Sequence, residues 1–237
     1  MNNELITSYI EGETHKVWDY VYSHYPIDQK NPLYEEITPL LELFFDRIKF
    51  NIDTIYNRLL HIGFIFDTSW EVEPGCGIHR LSPETIIGVE QKIGSLPLAL
   101  RLFYQKVGSI NLLGTHPEIP LTSYRNPLFI LPLHIAIYDY EEWLINCQEY
   151  GVQHVGPYGI NISPDAYHKA NVSGGEGYKI QLPNLTVDGT IENEPHHLNF
   201  INYLRTSILV GGFPSFQTAY DLPSDMRHYL THDLLVL

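Results

Sequence analysis

A long apolar stripe near the start of the chain limits what it can fold into. Leu33, Ile37, Leu40, Leu41, Phe44, Phe45 and Ile48 recur at three-to-four spacing, with Glu35, Glu36, Glu42 and Asp46 opposite. That period predicts an amphipathic helix whose apolar face must be buried against another body. Pro32 suits the first turn, because its fixed φ is already helical. Ile52, Ile55, Leu59 and Leu60 carry a second stripe, with Gly63 placed as a C-terminal cap. Upstream, Leu5, Ile6, Tyr9 and Ile10, then Val17, Trp18 and Val21, flank a break at Gly12. Residues 1–66 are therefore expected to be a helical segment packed on a core supplied by residues 67–237.

The texture changes after Gly63. Phe64-Ile65-Phe66 is β-like, and Pro74 to Gly77 is turn-rich. Ser82-Pro83-Glu84-Thr85 predicts a helix start, with a hydroxyl cap, a proline in the first turn and an early acid. That helix runs to Gly94, and another opens at Pro97 and ends at Gly108. Strands are expected over Ile110 to Leu113, Leu128 to Leu131, Gly159 to Ile162 and Tyr178 to Leu182. Asp188-Gly189 predicts a turn into a short strand at Thr190-Ile191. Helices are expected over Glu141 to Tyr150, Leu198 to Val210 and Ser224 to Leu235. Helices first and strands later, without regular βαβ alternation, point to an α+β fold. The sheet is expected to be mainly antiparallel and flanked by helices, with an N-terminal helical extension.

Charge narrows the choice of partners. The 237 residues hold 14 basic and 28 acidic side chains, a net charge of −14. Nucleic acid and anionic membrane would repel such a chain, so neither is an expected partner. Cys76 and Cys147 stand far apart and form no metal or disulfide framework. The Met1-Asn2-Asn3-Glu4 start lacks a basic leader, and the apolar run from Leu128 to Tyr138 is interrupted by Pro132 and His134 and too short to cross a membrane. A cytoplasmic protein without a cofactor is the expectation.

Several segments carry a family resemblance. Leu96 to Gly114 reads as a helix ending at a glycine and leading straight into the sheet. Pro164 to Asn171 runs into Ser173-Gly174-Gly175-Glu176-Gly177-Tyr178, and Asn193-Glu194-Pro195-His196-His197 follows Asp188. Phe200 to Ser207 then closes on Gly211-Gly212-Phe213-Pro214. Over about residues 80 to 215, in order and spacing, these pieces resemble a bacterial branch of the SUKH superfamily described as glucan-synthesis-regulator-like. The resemblance implies an α+β domain that binds proteins without catalysis. Bacterial members look like immunity proteins that neutralise a toxin, whereas fungal relatives regulate cell-wall synthesis. It carries over no catalytic residue and no toxin-contacting residue.

The acids concentrate where that resemblance lies. From Asn126 to Phe200 nine acids (Asp139, Glu141, Glu142, Glu149, Asp165, Glu176, Asp188, Glu192, Glu194) face only Lys169 and Lys179. Asp139, Glu141, Glu142, Asp165, Glu176, Asp188, Glu192 and Glu194 are accordingly the candidate protein-binding residues, forming an acidic face for a basic toxin domain. The alternative is a solvated surface that only confers solubility. A regulatory scaffold of cell-wall synthesis is the second functional reading. A hydrolase pairing Glu176 and Asp188 with His196 is the third.

Other motifs are expected to be structural. His228 and His232 are four apart and would share a helix face with Asp225 one turn earlier, but no third ligand is evident. His196 and His197 would point to opposite faces of a strand. Ser173 to Gly177 reads as a turn entering the sheet, since no helix or phosphate-binding lysine follows it. Cys147 is expected to be packed, and Trp18 and Trp143 to sit on apolar helix faces.

Overall fold

In the first turns of the chain, helix α1 (Asn2–Ile10) gives way to α2 (Thr14–Ser23) across Gly12. The two stripes over residues 33–60 belong to one helix, α3 (Leu33–His61), of 29 residues and about 43 Å at the usual rise. The polar residue in the middle of its buried face is satisfied. Asn51 is fully buried, and its amide exchanges two hydrogen bonds of 2.8 Å with the backbone of Leu235. The computed structural model describes residues 2–77, 80–122 and 124–237, without the side chains of Asn2 and Asn3. Met1, on which the expected leaderless start rests, lies outside them.

Downstream come strands β1 (Ile65–Phe66) and β2 (Gly75–Cys76), then helices α4 (Pro83–Ile93) and α5 (Leu98–Lys106). Strands β3 (Ile110–Asn111), β4 (Gly114–Thr115) and β5 (Phe129–Ile130) precede helices α6 (Leu133–Ala136), α7 (Tyr140–Tyr150) and α8 (Val152–Val155). Strand β6 (Gly159–Ser163), the single-turn α9 (Ala166–Lys169) and strand β7 (Tyr178–Gln181) follow, with α10 (Phe200–Leu209) and α11 (Ser224–Thr231) last. Helix α4 starts as its sequence predicts: the Thr85 N–H donates to Ser82 Oγ at 3.3 Å, with Pro83 in the first turn.

The fold is α+β with antiparallel pairing, and among the described residues its strands are distributed over three small sheets. β1 pairs with β4, β3 lies between β2 and β5, and β6 pairs with β7. Gly114 makes the first of these possible. Its φ is +153°, and a Cβ there would come within 2.3 Å of the Ile65 carbonyl oxygen. In the third sheet Ile160 sits opposite Ile180, and the register shifts between Asn161 and Ser163. The strand expected at Thr190-Ile191 shrinks to an isolated bridge between Thr190 and Asn199.

One continuous apolar core takes side chains from both the first 66 residues and the remainder. Aromatic contacts run through it from end to end. Trp18 on α2 meets Phe44 on α3 at 5.2 Å, Phe45 meets Phe103 on α5 at 6.1 Å, and Phe103 meets Phe200 on α10 at 5.3 Å. Trp18 is structural, as its periodicity predicts. The C-terminal helix is fastened to α3 by Arg58, which donates to the carbonyls of Leu230 and His232 at 3.0 and 2.7 Å. Those carbonyls close α11, so a charged donor satisfies groups that a helix end leaves open. Among the described residues, no helix is long and apolar enough to cross a membrane.

Candidate functional site

Four of the eight candidate acids meet in space. Asp139 and Glu142 on one side, and Glu176 and Glu192 on the other, line an open groove of about 500 Å³. Helix α7 forms one wall, the 155–159 segment the floor, and the β6–β7 pair with Glu192 and Asn193 the other wall. Among the described residues Lys179 is the only base in the lining, and it sits 3.7 Å from Glu176. Four carboxylates against one ammonium leave the groove strongly negative.

The floor is aromatic and held in place. Trp143 donates its indole N–H to the Gly156 carbonyl at 3.2 Å and stacks on Tyr140 at 5.6 Å. Tyr158 donates to Asp139 Oδ1 at 2.9 Å, with its ring 5.5 Å from Trp143. Burial and the neighbouring Asp139 carboxylate push the Tyr158 phenol up, so it stays a hydrogen-bond donor. Across the groove, Gln181 donates to Glu192 Oε1 at 2.5 Å and Asn193 donates to Glu176 Oε2 at 3.4 Å. Trp143, expected as a structural residue on an apolar helix face, is half-buried and also lines this groove. Glu141 lies outside the lining, exposed, and pairs with Lys92 at 3.2 Å.

The other three candidate acids are inside the protein, so they cannot belong to an acidic face. Asp188 is 1% exposed, Glu194 1% and Asp165 6%. Each has the same physical reason: its carboxylate accepts backbone N–H groups that nothing else would satisfy. Asp188 receives Gly189 N–H at 2.9 Å and Ile201 N–H at 3.3 Å, capping α10 from outside that helix. Glu194 receives the N–H groups of His196 and Leu198 at 2.9 and 3.1 Å. Asp165 caps α9 by accepting the His168 N–H at 3.0 Å, and it also contacts His168 Nδ1. Gly175 is required beside it, because a Cβ there would fall 1.7 Å from Asp165 Oδ2. The residues from Ser173 to Gly177 thus form a turn entering β7.

The trio of Glu176, Asp188 and His196 does not assemble. Asp188 is buried beneath α10, Glu176 lines the acidic groove, and His196 borders a different cavity. His196 and His197 lie in a turn, so they are not strand neighbours. His228 and His232 do come together, their ring centres 5.7 Å apart, but among the described residues no third ligand joins them. Helix α11 ends at Thr231, and His232 turns its Nδ1 to the Tyr229 carbonyl at 2.8 Å and its Nε2 to Arg58 at 3.3 Å. Those contacts fix the Nδ1–H tautomer. Among the described residues, no three His, Cys, Asp or Glu side chains form a group that could hold a metal ion. Cys76 is mostly buried, and burial pushes its thiol well above the usual range, which makes it a poor nucleophile.

Lys169 was legible only as a charge, and it proves to be a core residue 1% exposed. Its ammonium donates to Asn126 Oδ1 at 2.6 Å, sits 3.5 Å from the Tyr203 hydroxyl and lies 5.1 Å from the centre of the Tyr178 ring. Burial pulls its pKa down to about 7, although the Asp165 and Glu194 carboxylates act in the other direction. A sequence signal for its burial was absent, since its two neighbours in the chain, His168 and Ala170, do not mark a core position.

Comparison of the chain with protein-family models, with curated proteins and with solved structures gave no significant match.

Proposed function

We propose that this chain is a non-catalytic protein-binding molecule of the SUKH type, an immunity protein that neutralises a basic toxin domain in the cytoplasm. One observation carries the reading: Asp139, Glu142, Glu176 and Glu192 gather on one groove floored by Trp143 and Tyr158. The immunity role comes from the family resemblance, and the groove adds a surface of matching charge.

Charge and aromatic rings would do different work there. An exposed ion pair contributes only about 0–1 kcal/mol, so four carboxylates alone do not hold a partner. Their field instead raises the encounter rate from about 10⁵–10⁶ toward about 10⁸ M⁻¹s⁻¹. Residence then depends on buried anchors, and Trp143 offers an indole face to an incoming arginine or lysine. Occupying a toxin's basic surface this way would block the positions it uses for phosphates.

The test is capture from the source cells with the native chain and with a Glu142→Lys, Glu192→Lys variant. The captured protein is then expressed alone and together with each form. The proposal expects a basic protein that arrests growth alone, with rescue by the native chain and none by the variant. Capture of a cell-wall enzyme would favour the scaffold reading instead. Rescue by both forms would remove the groove from the mechanism.

A further inference from the structure

A second cavity, of about 390 Å³, opens between α10 and the 214–221 segment. It shares no lining residue with the acidic groove. Its walls are apolar, formed by Leu198, Val210, Pro214 and Phe216. Its inner end is polar and closed to water: Asn126, Glu194, Tyr203 and Ser207 are each at most 2% exposed. Such a mixture, an apolar body with a few convergent polar groups, is the usual make-up of small-molecule sites of roughly 300–1,000 Å³.

Three of those polar groups have partners within the protein. Asn126 and Tyr203 face the Lys169 ammonium, and Glu194 accepts two backbone N–H groups. Ser207 differs. Its hydroxyl is buried and has no hydrogen-bond partner. A helical serine turns its hydroxyl either to water or to the carbonyl four residues back, and Ser207 does neither. A buried hydroxyl left unpaired is costly, and this one belongs to a residue lining an open cavity.

Charge decides what could fill the space. Among the described residues neither lysine nor arginine lines it, and His196 is the basic side chain present. Glu194 spends its carboxylate on the His196 and Leu198 N–H groups, while Asp221 at the rim accepts from Ser215 and interacts with Arg125. An entering ion would shed its water without meeting a free counter-charge. We propose that this cavity binds a small neutral molecule with an apolar body and one hydroxyl or carbonyl group, which hydrogen-bonds to Ser207 Oγ.

Titration of the full chain with benzyl alcohol and cyclohexanone, followed by ligand-observed NMR and thermal shift, tests this. Toluene serves as the apolar control, and benzoate and benzylammonium as charged ones. Benzyl alcohol should bind saturably, at least about tenfold tighter than either ion. Ser207→Ala should weaken benzyl alcohol about three- to tenfold, the value of one hydrogen bond, and leave toluene unchanged. Thr206→Trp, at an exposed helical position on the mouth, should remove all binding. The proposal is overturned by an absence of saturable binding or by an ion binding as tightly as the alcohol. Alcohol binding that neither substitution alters would overturn it equally.

Discussion

The Tyr22 hydroxyl donates to Asp188 Oδ2 at 3.2 Å, joining α2 to the N-terminus of α10 across 166 positions of sequence. Tyr25 adds a bond of 3.0 Å to the Asp188 carbonyl. A carboxylate at a helix N-terminus is favoured by the helix dipole, and here it also organises the contact between the first helices and the rest of the chain. Burial works against its charge. It pushes the Asp188 carboxyl up to about 7, even though the amides of Ile201 and Gly189 and the Tyr22 hydroxyl pull the other way.

The shift at Asp188 fixes the direction of a pH effect. Between about pH 4 and 7 the unfolded chain has released this proton while the folded chain retains it, so the contribution to stability falls as pH rises. The slope approaches about 1.4 kcal/mol per pH unit where the difference is a full proton. Asparagine imitates the protonated carboxyl, so Asp188→Asn should flatten stability across that window. Denaturant unfolding at about pH 5 and about pH 7 checks this, and equal slopes in native and variant would contradict it.

Lys169 should act in the next window with the opposite sign. Its pKa falls from 10.5 to about 7 on burial. Between those values the unfolded chain holds a proton that the folded chain lacks, so stability rises with pH there. Lys169→Met keeps the bulk without the charge and should abolish the rise. Unfolding free energies from about pH 7 to about pH 9.5, for native and variant, measure it. A retained rise would assign the effect to another group.

Trp143 and the acids should separate kinetically. Trp143→Ala removes the indole that stacks on Tyr140 and faces Tyr158. With the captured partner, this variant should leave the association rate within about threefold and raise the dissociation rate at least about tenfold. Surface-plasmon or interferometry traces give both rates. A loss confined to association would mean that the indole is not an anchor.

The elements easiest to read were those whose signal is local. The α3 stripe obeys the helical period, and Ser82 lies directly before Pro83, so both were legible from neighbours in sequence. The pairing of Asn51 on α3 with Leu235 was not, because its partner lies at the far end of the chain. The division of strands into three sheets depends on long-range pairing, such as Ile65 with Thr115. The acidic groove was half-legible. Counting carboxylates found Asp139, Glu142, Glu176 and Glu192, but the same count included Asp165, Asp188 and Glu194. Those three are spent on backbone amides brought to them by folding, and charge counting does not distinguish the two uses. The Ser207 cavity had no sequence signature, since an unpaired hydroxyl is defined only by what surrounds it.

Salt dependence of association tests the acidic groove most directly. Stopped-flow mixing of the captured partner with the native chain, from about 20 to about 500 mM NaCl, should show a steep fall in rate as the Debye length shrinks below about 10 Å. Glu142→Lys with Glu192→Lys should lower the rate at low salt and flatten the dependence. A native association rate that is indifferent to salt, and unaffected by those reversals, would contradict the account.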